Sequence, residues 1–380
     1  MIHLAVPNLN GNESRYLQEC VSTNYVSSVG PFVTRFEKQI AAAAQSKCAV
    51  TTSSGTTALH MALLAAGVRP NDLVIVPSFT FIASANSISH CQATPWLMDI
   101  EEQGWTLDPQ QLRRELEGKV SVVGGDAYHR PSGRRIGALM PVHVLGNPAD
   151  MDTICRLAAE FSIPVVTDGA AALGATYRGG ALHAPGTLTT FSFNGNKTIT
   201  CGGGGAVAGA DEKQIEFIRH ISSTARNAPA YDHDQVGYNF RMTNIQAAVG
   251  CAQIERLAAF VQRKREVDRF YRDNLSGLPL TPFARPSWGE SACWFSGVVL
   301  DHGDAGELCA KLAARGIEAR PFWKPVHLQT PYASAPRAAL TRTERLWNRI
   351  VTLPCSTSIT DQELLRVGEA VQASWRELAA

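Results

Sequence analysis

Lys197 stands on a short polar turn, Asn194-Gly195-Asn196-Lys197-Thr198, between the aromatic stretch Phe191-Ser192-Phe193 and the glycine run 202–205. A lysine amine condenses with carbonyls to form Schiff bases, and glycines let backbone approach a bulky planar ligand. Two other groups are of types that complement such an amine. Ser53-Ser54-Gly55-Thr56-Thr57 follows the short apolar segment 48–51 and precedes the helix formers of 58–66. That order of strand, turn and helix puts free backbone N–H groups and the positive end of a helix dipole at Gly55 and Thr56, an anion site. An ordinary Ser/Thr N-cap accounts for the same residues. Asp168 closes the apolar segment Pro164-Val165-Val166-Thr167, as a helix cap, a surface carboxylate or the partner of a cationic ring nitrogen.

The segments that would position these groups alternate in type. Strands are expected at 73–76, 94–98, 138–142, 164–167 and 206–208, and helices at 58–66, 81–89, 109–117, 150–161 and 212–223. This rhythm predicts an α/β fold with a largely parallel sheet between helices, where ligands lie beyond the carboxyl ends of the strands. Gly55, Asp168 and Lys197 each fall at or just past a strand end, so one pocket can gather them. Upstream, an N-terminal arm carries a short helix at 13–20, then an amphipathic helix with Phe32, Phe36, Ile40 and Ala43 in phase. The polar pieces 125–135 and 224–234 read as loops. From Thr243 to about Leu275 the apolar positions Ile245, Val249, Ile254, Leu257, Val261 and Val267 predict one long helix. It would lead to a small α+β layer with a strand at 294–300 and helices at 305–314 and 361–378. A chain of 380 residues exceeds what one core usually supports. We therefore expect a large domain at 1–250, and a connecting helix with a small C-terminal domain at 251–380.

Charged residues at 18% and a net charge of +1 provide no field for nucleic acid or acidic membranes. No apolar run approaches the ~20 residues that span a bilayer, and the N-terminus does not read as a signal peptide. The nine cysteines are scattered without a C-x-x-C pair, which points to free thiols in a cytoplasmic protein and to no metal site. The glycine run lacks the G-x-G-x-x-G spacing of a dinucleotide site. Lysine, anion cradle and carboxylate are, however, the three types that pyridoxal 5'-phosphate requires: an amine for its aldehyde, a seat for its phosphate, and an acid that keeps its ring nitrogen protonated.

Six motifs carry a resemblance over nearly the whole chain: Ser54-Gly55-Thr56-Thr57-Ala58-Leu59-His60, Ser78-Phe79-Thr80-Phe81-Ile82-Ala83-Ser84, Pro148-Ala149-Asp150-Met151-Asp152, 192–197, Gly237-Tyr238-Asn239-Phe240-Arg241-Met242, and 320–327. The chain resembles the DegT-type pyridoxal-phosphate-dependent sugar-nucleotide aminotransferases. The resemblance implies transferase fold type I, the aspartate-aminotransferase-like fold, with a mostly parallel central sheet. It implies that Lys197 holds the cofactor covalently and shuttles a proton, and that Asp168 pairs with the pyridinium nitrogen. Gly55, Thr56 and Ser192 would bind the phosphate, Asn239 would reach it from the neighbouring subunit of a homodimer, and Phe81 would stack on the ring. His327 and Arg320 resemble residues that approach the sugar or the donor carboxylate from the other subunit.

The turn 194–200 is most similar to the subgroup acting on UDP-linked 4-keto-6-deoxy-N-acetylhexosamines for bacillosamine- and legionaminic-acid-type glycans. The polar insert near Tyr128-His129-Arg130 and Arg134-Arg135-Ile136-Gly137 resembles the legionaminic-acid branch. The expected reaction moves an amino group from L-glutamate to the 4-keto carbon of UDP-4-keto-6-deoxy-N-acetylglucosamine. A GDP-4-keto-6-deoxymannose aminotransferase of the perosamine-synthase kind, a dehydratase, and a non-catalytic regulator on the same scaffold are the alternatives. Dehydrating relatives carry histidine at the lysine position, so Lys197 favours transamination. One departure stands out. Where the family has Asp-Ala-Ala and then Gln, His or Glu, this chain has Asp168-Gly169-Ala170-Ala171, and Ala171 offers no hydrogen bond near the cofactor's phenolic oxygen.

Overall fold

The structure, a computed structural model, describes all residues except 183, 185, 228–230 and 380. The chain begins with α1 (Glu13–Ser22) and α2 (Pro31–Ala43), then β1 (Cys48–Thr52), α3 (Gly55–Ala65), β2 (Leu73–Pro77), α4 (Ile82–His90), β3 (Thr94–Met98) and α5 (Pro109–Lys119). Next come β4 (Val120–Val123), β5 (Asp126–His129), β6 (Arg134–Leu139), α6 (Met151–Glu160), β7 (Val166–Asp168), β8 (Thr176–Tyr177), β9 (Leu188–Ser192), β10 (Gly205–Gly209) and α7 (Glu212–Ser222). The strands β3, β2 and β6 pair in parallel. Parallel bridges Leu139–Val165 and Val142–Asp168 carry the sheet on to β7, and β7 pairs in parallel with β9. β10 is reversed, lying antiparallel between β9 and β1, and at the far edge β5 pairs antiparallel with β6. The mostly parallel central sheet expected from the sequence is present.

Side-chain alternation along β10 shows why helices cover both faces. Ala206 and Ala208 pack with Phe32, Phe36 and Ala247 on one side. Val207 points the other way, into the core that holds Leu59, Ile215 and Ile218. β2, apolar throughout, is buried along its whole length, as a strand covered on both faces must be.

Three expectations need correction. Residues 125–135, read as a loop, form β5 and the start of β6, and β4 and β5 are a hairpin. Its turn is Gly124-Gly125, both at positive φ (61° and 88°), the backbone that two-residue hairpins demand. The polar side chains that suggested a loop have partners on the neighbouring elements: Arg135 reaches the Asp72 carboxylate, and Arg134 the Asn71 and Asp72 carbonyls. Second, the single helix expected from Thr243 is two. After β11 (Arg226–Asn227) and β12 (Asp232–His233) come α8 (Asn244–Ile254) and α9 (Leu257–Asn274). The N-terminal arm holds the joint: Tyr16 donates to the Glu255 carboxylate at 2.7 Å, and Arg256 reaches Asn8 at 3.1 Å. Third, 224–234 is not all loop, since β11 and β12 pair; its residues 228–230 lie outside the described residues.

The C-terminal layer comprises β13 (Leu280–Pro282), β14 (Gly289–Glu290), β15 (Ser296–Leu300), α10 (Ala305–Ala314), β16 (Arg320–Pro321), α11 (Thr341–Leu346), β17 (Ile350–Leu353) and α12 (Asp361–Ala379). Its antiparallel sheet runs β13-β15-β17-β16. Ile2 pairs with Ile317, and the Cys355 amide donates to the Leu4 carbonyl. The first residues of the chain thus pack on this layer, and residue 250, where the sequence places the division, lies inside α8. Among the described residues no helix is long and apolar enough to cross a membrane.

Candidate active site

The carboxyl ends of the central strands surround a cavity of about 280 Å³ whose lining includes Gly55, Thr56, Phe81, Asp168, Ser192 and Lys197. At the start of α3, Ser54 accepts the Thr57 amide at 3.1 Å while the Thr57 hydroxyl accepts the Ser54 amide at 3.0 Å. This reciprocal cap leaves the first-turn amides of Gly55 and Thr56 without acceptors inside the helix. Cap and anion cradle are therefore compatible. A Cβ on Gly55 would lie 2.7 Å from Cβ and 2.9 Å from Oγ of Ser192, so only glycine lets the helix start so close to the end of β9.

Asp168, at the end of β7, is 5% exposed. Its Oδ1 accepts the Ala170 amide at 3.0 Å and its Oδ2 accepts the Ser84 hydroxyl at 2.7 Å. Ser84 in turn lies 2.8 Å from the Thr80 hydroxyl. Burial raises the Asp168 pKa, while the Ala170 amide, the Ser84 hydroxyl and the Lys197 charge pull it back. Both oxygens keep lone pairs for a further donor, such as a ring N–H.

Lys197 is half-buried. Its Nζ stands 3.7 Å from the centroid of the Trp294 ring, and the Trp294 indole N–H donates to the Asn196 carbonyl at 2.7 Å. Burial pushes the amine down to about 8, with Asp168 opposing. An ammonium of that acidity is partly neutral, and so nucleophilic, at ordinary pH. Ala171 is also in the lining, with only a methyl to present.

The donor set fits pyridoxal phosphate: a nucleophilic amine, a buried acid with free lone pairs, and a helix start that admits no side chain. Sequence reasoning missed Thr80, Ser84, His143, Trp294 and Trp323, which all line the cavity. Thr80 and Ser84 had a detectable signal, two hydroxyls four residues apart beside a predicted helix start. Trp294 and Trp323 had none, because only tertiary packing brings them here.

The remaining expected residues lie elsewhere in this chain. Arg320 borders an adjoining cavity of about 440 Å³ that shares Phe81, Asn196, Trp294 and Trp323 with the first, and it pairs with Glu318 at 2.6 Å. Asn239 is exposed and outside both linings. His327 is buried, its Nδ1 2.7 Å from the Ser78 hydroxyl, and also outside both.

The model of the DegT/DnrJ/EryC1/StrS aminotransferase family matches residues 7–372. The chain belongs to this family. A curated relative, the GDP-perosamine synthase of Caulobacter vibrioides, is 38% identical over 372 residues, covering 96% of each chain. The dTDP-3-amino-3,4,6-trideoxy-alpha-D-glucose transaminase of Streptomyces venezuelae is 33% identical, over 92% of this chain and 88% of the relative. Among solved structures, DesV of S. venezuelae, in complex with a ketimine intermediate, superposes with a TM-score of 0.85 at 31% identity, over 96% of this chain and 94% of that one. As a DegT-family member the protein is an aminotransferase that uses pyridoxal phosphate. Its fold is that of the family's solved structures.

Proposed function

We propose that this aminotransferase moves an amino group from L-glutamate to the 4-keto carbon of a nucleotide-linked 4-keto-6-deoxy sugar. The observation that carries the reading is the convergence of the Lys197 amine, the Asp168 carboxylate and the α3 start on one cavity. Bound there, pyridoxal phosphate supplies the aldehyde that takes up the amino group and the ring that spreads the charge left on carbon. The chain's own residues do the rest. Lys197 would hold the cofactor covalently, and its Nζ would hold and move the proton at the substrate carbon. Asp168 would accept the ring N–H, and Ser84 and the Ala170 amide hold its carboxylate for that bond. The Gly55 and Thr56 amides with the Ser192 hydroxyl would receive the phosphate, and Phe81 would stack on the ring.

For the nucleotide, we favour GDP-4-keto-6-deoxymannose. Three GDP-perosamine synthases, 38%, 33% and 33% identical, each cover 96% or more of the chain. The second reading, UDP-4-keto-6-deoxy-N-acetylglucosamine, is supported by the sequence of the turn 194–200. Arg320, on the adjoining cavity, would meet the sugar nucleotide or the donor carboxylate. Asn239 and His327 would act on a second copy in a homodimer. The cysteines recorded as free, most of them buried, agree with a cytoplasmic enzyme.

The test is to incubate the cofactor-loaded protein and L-glutamate with each 4-keto nucleotide and follow amine-for-oxygen exchange by mass spectrometry. Exchange on the GDP sugar alone supports the first reading, and on the UDP sugar alone the second. Exchange on neither, with cofactor still fixed at Lys197, overturns the substrate class.

A further inference from the structure

Trp294 belongs to the chain leading into β15, yet it reaches the Lys197 turn. It makes two separate contacts with the lysine turn. Its ring face lies under Nζ at 3.7 Å, and its indole N–H closes on the carbonyl of Asn196, the residue before the lysine, at 2.7 Å. A tryptophan that only filled the core would need an acceptor for its N–H, but not an amine over its ring face.

The backbone of Trp294 is fixed from two sides. Its amide donates to the Leu145 carbonyl at 3.1 Å, and its own carbonyl accepts the buried Lys264 ammonium at 2.9 Å. Leu145 and Cys293, on either side of the first of these bonds, both have left-handed backbone, with φ of 58° and 49°. Neither is glycine. Such conformations persist only where the surroundings over-determine them, and they cluster at functional sites. Here they aim the Leu145 carbonyl at the Trp294 amide and turn the chain so that the indole enters the cavity.

We propose that Trp294 is a positioning residue for the Lys197 amine, its ring face fixing where Nζ sits and its indole N–H fixing the turn that carries it. A cation held over an aromatic face is attracted by the ring quadrupole, so the ring favours the charged amine while the apolar wall disfavours it. The other titratable side chains lining the cavity are Asp168 and His143; Arg320 and Glu318 face the adjoining one, and Lys264 bonds Trp294 from behind. The proposal rests on Lys197 being the lysine that bonds the cofactor, but one arm of its test needs no cofactor.

In that arm, the cofactor-free protein reacts with acetic anhydride over a range of pH, and acetylation of Lys197 is followed by peptide mass spectrometry. The wild-type midpoint is expected near pH 8, as burial of the amine requires. Trp294→Leu leaves an apolar wall without a ring face, and the midpoint should fall by half a unit or more. Trp294→Phe keeps a ring face, and its midpoint should stay near the wild-type value. In the second arm, Lys197 captures added pyridoxal phosphate with loss of water, and borohydride fixes the product. Capture should slow about tenfold in Trp294→Phe, which keeps a smaller ring face but loses the bond to Asn196, and about a hundredfold in Trp294→Leu. The fall in kcat should follow capture, with the KM for the sugar nucleotide nearly unchanged.

An unchanged or raised midpoint in a folded Trp294→Leu protein overturns the ring-face role. Capture within twofold of wild type in Trp294→Phe overturns the role of the indole N–H, and that variant still decides if Trp294→Leu fails to fold. Should the wild type fix no cofactor at Lys197, the proposed function fails, while the acetylation midpoints still judge Trp294.

Discussion

The carboxyl edge of the central sheet and the irregular segments around the C-terminal layer place their polar residues by different rules. Gly55, Asp168 and Lys197 are far apart in sequence, yet all line one cavity. A mostly parallel sheet brings strand ends to one edge by topology alone, so a residue just past a strand needs no nearby partner to arrive there. Arg320, His327 and Asn239 have no such rule. Arg320 sits in the short strand β16 beside β17, His327 is held by Ser78, and Asn239 lies in a backbone bridge with Ser223. Substitutions at the sheet edge should therefore cost chemistry, and those at His327 in this chain should cost stability first.

The largest effect is expected at Lys197. Lys197→Ala removes both the bond to the cofactor and the proton shuttle, and proton transfer alone contributes roughly 10²–10⁴-fold. We expect kcat to fall by roughly 10³-fold or more, with no borohydride-fixed cofactor and little change in melting temperature. Residual activity above a few per cent would show that another group does the chemistry. Asp168→Asn is isosteric but cannot hold a ring N–H⁺ in the same way, and a loss of roughly 10²–10³-fold is expected, the scale of removing one preorganised electrostatic partner. Steady-state kinetics at saturating cofactor separates this from weaker binding.

Acid should distinguish the cavity edge from the packing behind it. His143 lines the cavity, whereas His60 sits among His90, Tyr238 and Phe240. Burial pushes both from 6.5 down to about 4, aided at His60 by the neighbouring His90. Such a base binds a proton more readily unfolded than folded. The stability contribution is therefore complete above about pH 6.5 and is lost as pH falls towards 4. The shift corresponds to about 3 kcal/mol for each histidine. Urea unfolding across that window should show the loss, and a His60→Asn protein should lose less than the wild type. An unchanged pH slope in that variant would rule out His60 as a source.

At the irregular segments, Ser78→Ala leaves the buried His327 Nδ1 without its 2.7 Å partner. A buried polar group deprived of its bond costs about 1–3 kcal/mol, and urea midpoints would read that loss. Ser78→Ala should lower stability more than kcat. A large fall in kcat without loss of stability would instead mean that His327 approaches the substrate, as the family resemblance implies.

Much of this arrangement is legible in the sequence. Strand-end positions can be read because apolar runs and the turns that close them are local features, and chemical type then singled out the lysine, the acid and the glycine. The break between α8 and α9 was hidden because no Gly or Pro marks it. It is made by Glu255 and Arg256 bonding to Tyr16, Arg35 and Asn8, a contact between distant segments. The β4–β5 hairpin was hidden differently, since basic side chains suggested solvent when Asp72 was waiting across the sheet. Trp294 could not be read at all, because its role depends on two strained residues and a neighbouring layer.

Ser84 gives the finest test of the sheet-edge rule, because its hydroxyl holds the Asp168 carboxylate. Among the described residues its hydroxyl is the sole side-chain donor to the Asp168 carboxylate. In Ser84→Ala the Oδ2 atom keeps its burial and loses that donor, so the protonated acid becomes easier to form and the ring partner weaker. Hydrogen bonds to charged groups contribute about 1.5–3 kcal/mol, but the Ala170 amide remains, and a roughly tenfold fall in kcat corresponds to the low end of that range. The acid limb of the kcat–pH profile should move to higher pH in the same variant, which a loss of packing alone would not produce. Ser84→Thr keeps a hydroxyl at the same place and should restore both rate and profile. If alanine and threonine behave alike, Asp168 is held by the backbone alone and the Thr80–Ser84 pair is only packing.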